Sequence, residues 1–206
     1  MDPIAMIIPL IRPSMRRSIA KKAAQFDQLT VPAGRLLFLG DSITEQGAWD
    51  DLFPTLRCLR RGIGGDSVSG VRSRLHSAVQ EPLAISLLVG TNDLHGLGRT
   101  RDVDLIAEQF RDLVGAIRSA APDAPLLVNS VTPRTKSWVD KVQALNRHYA
   151  DIVAEADATY VDLWPALADS DGALRKEFTR DRLHLTFPGY LAWVDVLRPH
   201  LDRFTT

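Results

Sequence analysis

A serine near the start of the chain and an aspartate and histidine near its end have the residue types and spacing of hydrolytic chemistry. Ser42 follows the apolar run 36–39 and Gly40-Asp41, which places its hydroxyl just beyond a strand end. A serine hydroxyl is a weak nucleophile until a base accepts its proton. Asp181 lies three residues before His184, so its carboxylate can accept the Nδ1–H and leave Nε2 free for the serine. These three residues predict nucleophilic catalysis at Ser42.

Two further segments carry donors that could stabilise the oxyanion of a tetrahedral intermediate. The segment 61–67 contains three glycines, and a glycine-rich backbone can approach a ligand closely and direct an N–H toward it. Asn92, just past another apolar run, offers a side-chain N–H. The Ser42 N–H, the Gly65 N–H and the Asn92 amide therefore predict an oxyanion hole with three donors.

The elements that must position these residues follow from the alternation of apolar runs and helical periods. Four runs are typical of strands that are apolar on both faces: 36–39, 84–89, 125–131 and 159–163. Such strands belong in a parallel sheet covered by helices. Three segments have the apolar spacing of a helix: one follows Asp102, a predicted N-cap, a second covers 139–153, and a third follows Pro188. The pattern predicts a doubly wound α/β sandwich, whose ligand site lies at the C-terminal ends of the strands.

The chain strongly resembles the SGNH hydrolases, also called GDSL-type esterases and lipases, from about residue 35 to 197. Four hallmark blocks occur in order: Gly40-Asp41-Ser42, Gly62-Ile63-Gly64-Gly65-Asp66, Gly90-Thr91-Asn92-Asp93 and Asp181-Arg182-Leu183-His184. The resemblance implies a three-layer α/β/α sandwich with a mainly parallel, flavodoxin-like sheet. It also implies that Ser42 is the nucleophile, that His184 is the general base and acid oriented by Asp181, and that Gly65 and Asn92 complete the oxyanion hole.

Residues around these blocks narrow the resemblance. Trp49, Phe53 and the stretch 61–66 look most like the platelet-activating-factor acetylhydrolase-like and small bacterial esterase branch, although Arg60 stands where such members often carry Asn. We expect hydrolysis of short-chain acyl or acetyl esters through an acyl-enzyme, without a cofactor or a metal. The alternatives are a carbohydrate O-deacetylase, a lysophospholipase or thioesterase on the same residues, and a non-catalytic binding protein of the same fold.

Five more side chains are candidates for the pocket, and each has a structural alternative. They are Asp41, Trp49, Asp93, His95 and Trp138. Asp93 would alternatively bond loop backbone, and the tryptophans would be core or edge aromatics. Ser42 itself has the alternative of serving only as a helix N-cap.

Composition excludes several other classes of protein. The 206 residues carry 25 Lys+Arg and 25 Asp+Glu, so the formal net charge is 25 − 25 = 0, which argues against binding nucleic acid through its phosphates. We expect a neutral small-molecule ester, since only local residues such as Arg60, Arg61, Arg99 and Arg134 would steer an anion. The single Cys58 forms no internal disulfide and is expected to be a small strand residue.

The N-terminal region, 1–34, is expected to be an arm and a helix that precede one hydrolase domain at 35–206. Residues 4–11 are apolar, but they are far short of the ~20 residues that span a bilayer, and basic residues follow rather than precede them. We therefore expect a cytoplasmic protein without stable membrane insertion. The apolar arm is expected to pack on the body or to strap a second copy into a homo-oligomer.

Overall fold

The structure, a computed structural model, describes residues 3–98 and 100–204, with side chains described from residue 13 onward except that of residue 99. The strands are β1 Leu36–Gly40, β2 Cys58–Gly62, β3 Ala84–Leu88, β4 Leu126–Asn129 and β5 Thr159–Val161. The helices are α1 Pro3–Phe26, α2 Ser42–Gln46, α3 Trp49–Leu52, α4 Val68–Ser73, α5 Thr91–Leu94, α6 Val103–Ala120, α7 Val139–Glu155, α8 Trp164–Leu167 and α9 Phe187–Leu197. Short 3₁₀ segments occupy Leu75–Ser77, Lys136–Trp138, Lys176–Phe178, Arg198–His200 and Asp202–Phe204.

The five strands form one sheet in the order β2-β1-β3-β4-β5, and every pair is parallel. β1 lies between β2 and β3, with Gly40 in register with both Gly62 and Leu88. The segments that follow β1, β2 and β3 therefore leave the sheet at one edge. This order is the flavodoxin-like doubly wound arrangement, which confirms the predicted fold class.

Each face of the sheet is covered by its own group of helices. On one face, α4, α6 and α7 pack through a cluster that includes Val71, Phe110 and Tyr149. On the other face, α2, α3, α8 and α9 pack through a cluster that includes Trp49 and Trp193. Alternate strand residues serve the two clusters, as the pleat requires, which explains why the central strands are apolar throughout.

A local signal in the sequence accounts for the start of the long helix α6. Asp102 caps α6 by accepting hydrogen bonds from the N–H groups of Asp104 and Leu105, at 3.0 and 3.1 Å. The edge strand β2 begins at Cys58 and carries the exposed Arg60, a charged residue of the kind common on exposed sheet edges. Burial raises the pKa of the Cys58 thiol to about 12, so this thiol is inert at neutral pH.

The N-terminal region differs from the predicted arm followed by a helix. Helix α1 runs from Pro3 to Phe26 and includes the apolar segment 4–11. The packing expected for that segment lies outside the residues whose side chains are described. Among the helices that the structure describes, none combines the length and the apolar character needed to cross a bilayer.

Candidate active site

The predicted nucleophile opens the short helix that follows the central strand. Ser42 is the first residue of α2, and Asp41 is its N-cap, accepting a hydrogen bond from the Ile43 N–H at 3.0 Å. The capping role considered for Ser42 is therefore wrong, because Asp41 fills it and leaves the serine hydroxyl for other contacts. The chain turns sharply at Gly40, where a Cβ would collide with the Leu88 carbonyl of the neighbouring strand.

The loop 179–186 brings an aspartate and a histidine onto this serine. His184 Nε2 lies 2.9 Å from Ser42 Oγ, and His184 Nδ1 lies 2.6 Å from Asp181 Oδ2. The other carboxylate oxygen of Asp181 accepts the backbone N–H groups of Leu183 and His184, at 3.0 and 2.8 Å. Burial alone would raise the pKa of Asp181, but these hydrogen bonds and the histidine charge outweigh it and hold that pKa below its usual range. The arrangement leaves a charged carboxylate to orient the imidazole.

The three predicted oxyanion donors are close to one another beside this serine. The Ser42 N–H lies in the first turn of α2, where no intrahelical acceptor exists. A Cβ on Gly64 would lie 3.7 Å from Ser42 Cβ, so the glycine loop packs directly on the nucleophile, and Gly65 follows with a left-handed φ of +81°. The Asn92 amide donates to the Asp66 carbonyl at 2.8 Å and lies 3.4 Å from Asp41 Oδ2. Its second N–H, at this long distance, is only weakly engaged.

Three buried carboxylates, those of Asp41, Asp66 and Asp93, lie in the segments that carry these donors. Burial raises the pKa of Asp41 to about 7 and the pKa of Asp93 to about 7. Asp93 Oδ2 accepts the Val68 N–H at 3.1 Å, so this residue bonds loop backbone. Burial also raises the pKa of Asp66, while the guanidinium of Arg74, 2.7 Å away, opposes that shift. The carboxyl ends of the strands therefore hold Asp41 and Asp93, whose pKa values are near 7, and Asp66, which is paired with Arg74.

Comparison with known proteins identifies the family. Residues 38–192 match the GDSL-like Lipase/Acylhydrolase family. The chain belongs to this family. The resemblance predicted from the four sequence blocks is confirmed, as is the class of enzyme, an esterase or acylhydrolase.

Relatives and solved structures agree with this membership of the GDSL-like family. Platelet-activating factor acetylhydrolase IB subunit alpha1 of Bos taurus is 28% identical over 183 residues, which cover 83% of this chain and 76% of that protein. A Streptococcus pneumonia structure, provisionally named a platelet activating factor, is 25% identical, with a TM-score of 0.84 and coverage of 96% of this chain and 99% of that one. A GDSL-like lipase of Bacteroides thetaiotaomicron is 21% identical, with a TM-score of 0.76 and coverage of 90% and 98%, and shares the fold.

Among the pocket candidates of this GDSL-like enzyme, Trp49 does not line the active site. Its indole stacks on Phe38, with ring centroids 3.9 Å apart, and its Nε1–H donates to the Thr44 carbonyl at 2.8 Å. The cleft bordered by Trp49, Asp50 and Arg60 includes none of the three predicted catalytic residues in its lining. Trp49 is a core aromatic because α3 folds it beneath the sheet, and the expected pocket role is wrong.

His95 and Trp138 form a group with Arg134, one of the arginines expected to steer an anion. Their rings lie 4.4 Å apart, and the Arg134 guanidinium lies 5.7 Å from the Trp138 ring and 2.5 Å from His95 Nε2. Arg134 also donates to the Arg182 carbonyl at 3.1 Å and to Thr91 Oγ1 at 2.9 Å. It therefore ties the loop that carries Asp181 and His184 to the segment that carries Asn92.

Two of the arginines expected near the strand ends as residues that steer anions are instead committed inside the protein. Arg134 and Arg61 are buried, and both are committed to internal carbonyls, whereas Arg60 is exposed. Arg99 lies outside the described residues. The buried Arg74, which sequence analysis missed, donates to Asp66, to the Arg61 carbonyl and to the Gly40 carbonyl. No sequence signal distinguishes Arg74 from a solvated arginine, because its partners come from β1 and β2.

A hydrogen bond from a tyrosine holds α9 against α2, the helix that begins at Ser42. The Tyr190 hydroxyl donates to the Ile43 carbonyl at 2.6 Å. Since Tyr190 lies on α9, just after the loop that carries His184, this bond anchors the loop near Ser42. Tyr190 lies in the helix that the sequence predicts after Pro188.

Proposed function

We propose that this GDSL-like enzyme hydrolyses short-chain acyl or acetyl esters through an acyl-enzyme on Ser42. The observation that carries the proposal is the continuous hydrogen-bonded line from Asp181 through His184 to Ser42 Oγ, with contacts of 2.6 and 2.9 Å. These distances allow His184 to take the serine proton without rearrangement.

The first half of the reaction acylates the enzyme. Ser42 Oγ attacks the ester carbonyl carbon while His184 Nε2 accepts its proton, and Asp181 stabilises the resulting imidazolium. The negative oxygen of the tetrahedral intermediate receives hydrogen bonds from the Ser42 N–H, the Gly65 N–H and the Asn92 amide. The bond to the alcohol oxygen then breaks, and His184 returns the proton to the departing alcohol. Ser42 is left as an acyl ester.

The second half regenerates the enzyme with water. His184 Nε2 accepts a proton from a water molecule that attacks the acyl carbon, and the same three donors hold the new oxyanion. Collapse of this intermediate breaks the bond to Ser42 Oγ, which takes the proton back from His184. The products are one carboxylic acid and one alcohol for each ester.

Two features support a small acyl group and a larger alcohol. Met15, Ile19 and Leu97 close over Gly65, where a Cβ would lie 2.5 Å from Met15 Cε and 3.6 Å from Ile19 Cδ1. A cleft of about 380 Å³ borders His184 and is lined by residues that include Arg180 and Phe187. The alcohol must leave from beside His184, since that residue protonates it.

The test is a substrate profile with matched variants. We expect p-nitrophenyl acetate to be hydrolysed faster than the octanoyl ester, and the Ser42→Ala protein to show no turnover above background. Asn92→Ala should reduce kcat on the order of 100-fold, because it removes one oxyanion donor. A Ser42→Ala protein that retains the wild-type rate would refute the mechanism. Comparable rates on acetylated xylan would instead favour the carbohydrate O-deacetylase.

A further inference from the structure

Glu45 joins the nucleophile helix to the glycine loop. It lies on α2 one turn after Ser42, and its Oε2 accepts the Gly64 N–H at 2.5 Å. A Cβ on Gly64 would lie 3.0 Å from the same carboxylate oxygen and 3.7 Å from Ser42 Cβ. Gly64 is therefore held between the carboxylate and the nucleophile, immediately before the donor residue Gly65.

The loop needs such an anchor because its own sequence gives it little preference. Three of the four residues at 62–65 are glycine, and glycine adopts many backbone conformations at similar energy. Neighbouring contacts hold the rest of the loop, since the Ile63 N–H donates to the Gly40 carbonyl at 3.1 Å and the Asp66 N–H to the Ile63 carbonyl at 3.1 Å. Glu45 supplies the remaining anchor, at the residue whose φ and ψ aim the Gly65 N–H.

The other oxygen of Glu45 is paired with the N-terminal helix. Glu45 Oε1 forms an ion pair with the ammonium group of Lys22 on α1. Partial burial lowers the pKa of Lys22, and the charges of Arg60 and Arg74 lower it further, so this corner of the molecule is rich in positive charge. Glu45 supplies negative charge to this cluster. The same face of α1 carries Met15, which lies over Gly65.

We propose that Glu45 is a positioning residue that sets the direction of the Gly65 oxyanion donor, and that Lys22 of α1 holds the Glu45 carboxylate in place. This inference rests on the proposed function, because it assigns a reason for the aim of a donor in that mechanism. It makes α1 part of the catalytic arrangement without contact between Lys22 and the substrate.

The kinetic test compares four single variants with the wild-type enzyme. Glu45→Ala removes the acceptor, and we expect kcat to fall about 10- to 100-fold with KM changed by less than about 3-fold, because a misaimed donor weakens only the transition state. Lys22→Met leaves the acceptor present and should reduce kcat by about 2- to 10-fold, less than Glu45→Ala, since the pair is partly exposed. Lys21→Met and Glu108→Gln change exposed residues and are expected to leave kcat unchanged.

A spectroscopic measurement separates positioning from a general loss of structure. In a protein labelled with ¹⁵N at its 13 glycines, the Gly64 amide proton should resonate downfield in the wild type and move upfield in Glu45→Ala. Glu45→Gln keeps an oxygen acceptor of the same shape and should restore part of both kcat and the shift. If Glu45→Ala does not fold, Glu45→Gln and Lys22→Met carry the test.

Three results would overturn the inference. One is a wild-type kcat in Glu45→Ala or, if Glu45→Ala does not fold, in both Glu45→Gln and Lys22→Met. Another is an effect confined to KM, and the third is an unchanged Gly64 resonance. If Ser42→Ala retains wild-type turnover, the proposed function fails together with this inference. If Ser42→Ala is inactive while the Glu45 variants keep kcat, only the inference fails.

Discussion

Replacing Arg74 by methionine would remove three hydrogen bonds from the buried side of the active site. The guanidinium donates to Asp66 Oδ2 at 2.7 Å, to the Arg61 carbonyl at 2.9 Å and to the Gly40 carbonyl at 2.9 Å. Arg74 and Asp66 are 3% and 1% exposed, so water cannot replace the lost donors. Methionine fills much of the volume and leaves the carboxylate of Asp66 charged and unpaired.

The size of the effect follows from these contacts. Removing one partner of a buried ion pair lowers the free energy of unfolding by about 3–5 kcal/mol. A buried carbonyl left without a donor adds about 1–3 kcal/mol, and the Gly40 carbonyl adds less, because it keeps the hydrogen bond from the Ile63 N–H. The three losses share one side chain and do not add fully. We therefore expect the free energy of unfolding to fall by about 4–6 kcal/mol, a large part of the roughly 5–15 kcal/mol typical of a domain.

Urea titration followed by tryptophan fluorescence measures this change. Arg72→Met is the matched control, because Arg72 is an exposed arginine in the last turn of α4, the helix that Arg74 follows, and its replacement should change stability by less than about 0.5 kcal/mol. The double variant Arg74→Met/Asp66→Asn removes the uncompensated charge and should recover part of the loss. A reduction below about 1 kcal/mol in Arg74→Met would refute the reasoning.

The pH dependence gives the same experiment a second outcome. Burial raises the pKa of Asp66 and Arg74 opposes that shift, so the pKa of Asp66 should rise further in Arg74→Met. The folded variant then holds a proton that the unfolded chain has lost, and its stability rises as the pH falls. The deficit relative to the wild type should therefore shrink between pH 8 and pH 5. A deficit independent of pH would contradict the charged state assigned to Asp66.

Further predictions concern other positions. Burial raises the pKa of Asp93 to about 7, above the unfolded value, so its ionisation lowers stability as the pH rises from about 4 to 7. In Asp93→Asn the free energy of unfolding should therefore decline less between these pH values. Urea midpoints that change with pH in parallel in the two proteins would contradict this. Arg134→Met releases the Arg182 carbonyl and should lower kcat about 10- to 100-fold with little change in KM, measured with p-nitrophenyl acetate. Gly115→Ala should raise the free energy of unfolding by about 0.5–1 kcal/mol, since Gly115 lies in a helix with open space around it. Gly62→Ala should lower it by about 1–3 kcal/mol, because the added Cβ would meet the backbone of α2. Thermal unfolding of the two variants tests both signs.

The elements that the sequence predicted well are those that a local pattern determines. The run at 36–39 covers all of β1 but Gly40, and the runs at 84–89 and 125–131 contain β3 and β4, because strands buried on both faces must be apolar throughout. Asp102 and the helical period behind it define α6. Three hallmark blocks follow β1, β2 and β3, so they lie close together because parallel strands present their C-terminal ends at one edge of the sheet. The loop 179–186, which follows no strand, brings the fourth block to Ser42.

The features that the sequence did not predict depend on partners distant along the chain. Trp49 follows the nucleophile block and was expected near the pocket, but α3 folds it onto Phe38 beneath the sheet. Arg134 was expected near the strand ends as a residue that steers anions, and Arg74 was not singled out. Both are buried because carbonyls from other segments accept their N–H groups, and no local pattern records such pairings.

The separation between Ser42 and His184 has a consequence for the order of folding. These residues are 142 positions apart, and the Tyr190–Ile43 bond that anchors the histidine loop spans 147. Closing such long loops is among the slower events of folding, because chain entropy is lost before the contacts form. The sheet and its helices can therefore assemble before the last segment docks. Ester hydrolysis recovered during refolding would report that final closure, and it should lag behind the return of far-ultraviolet circular dichroism.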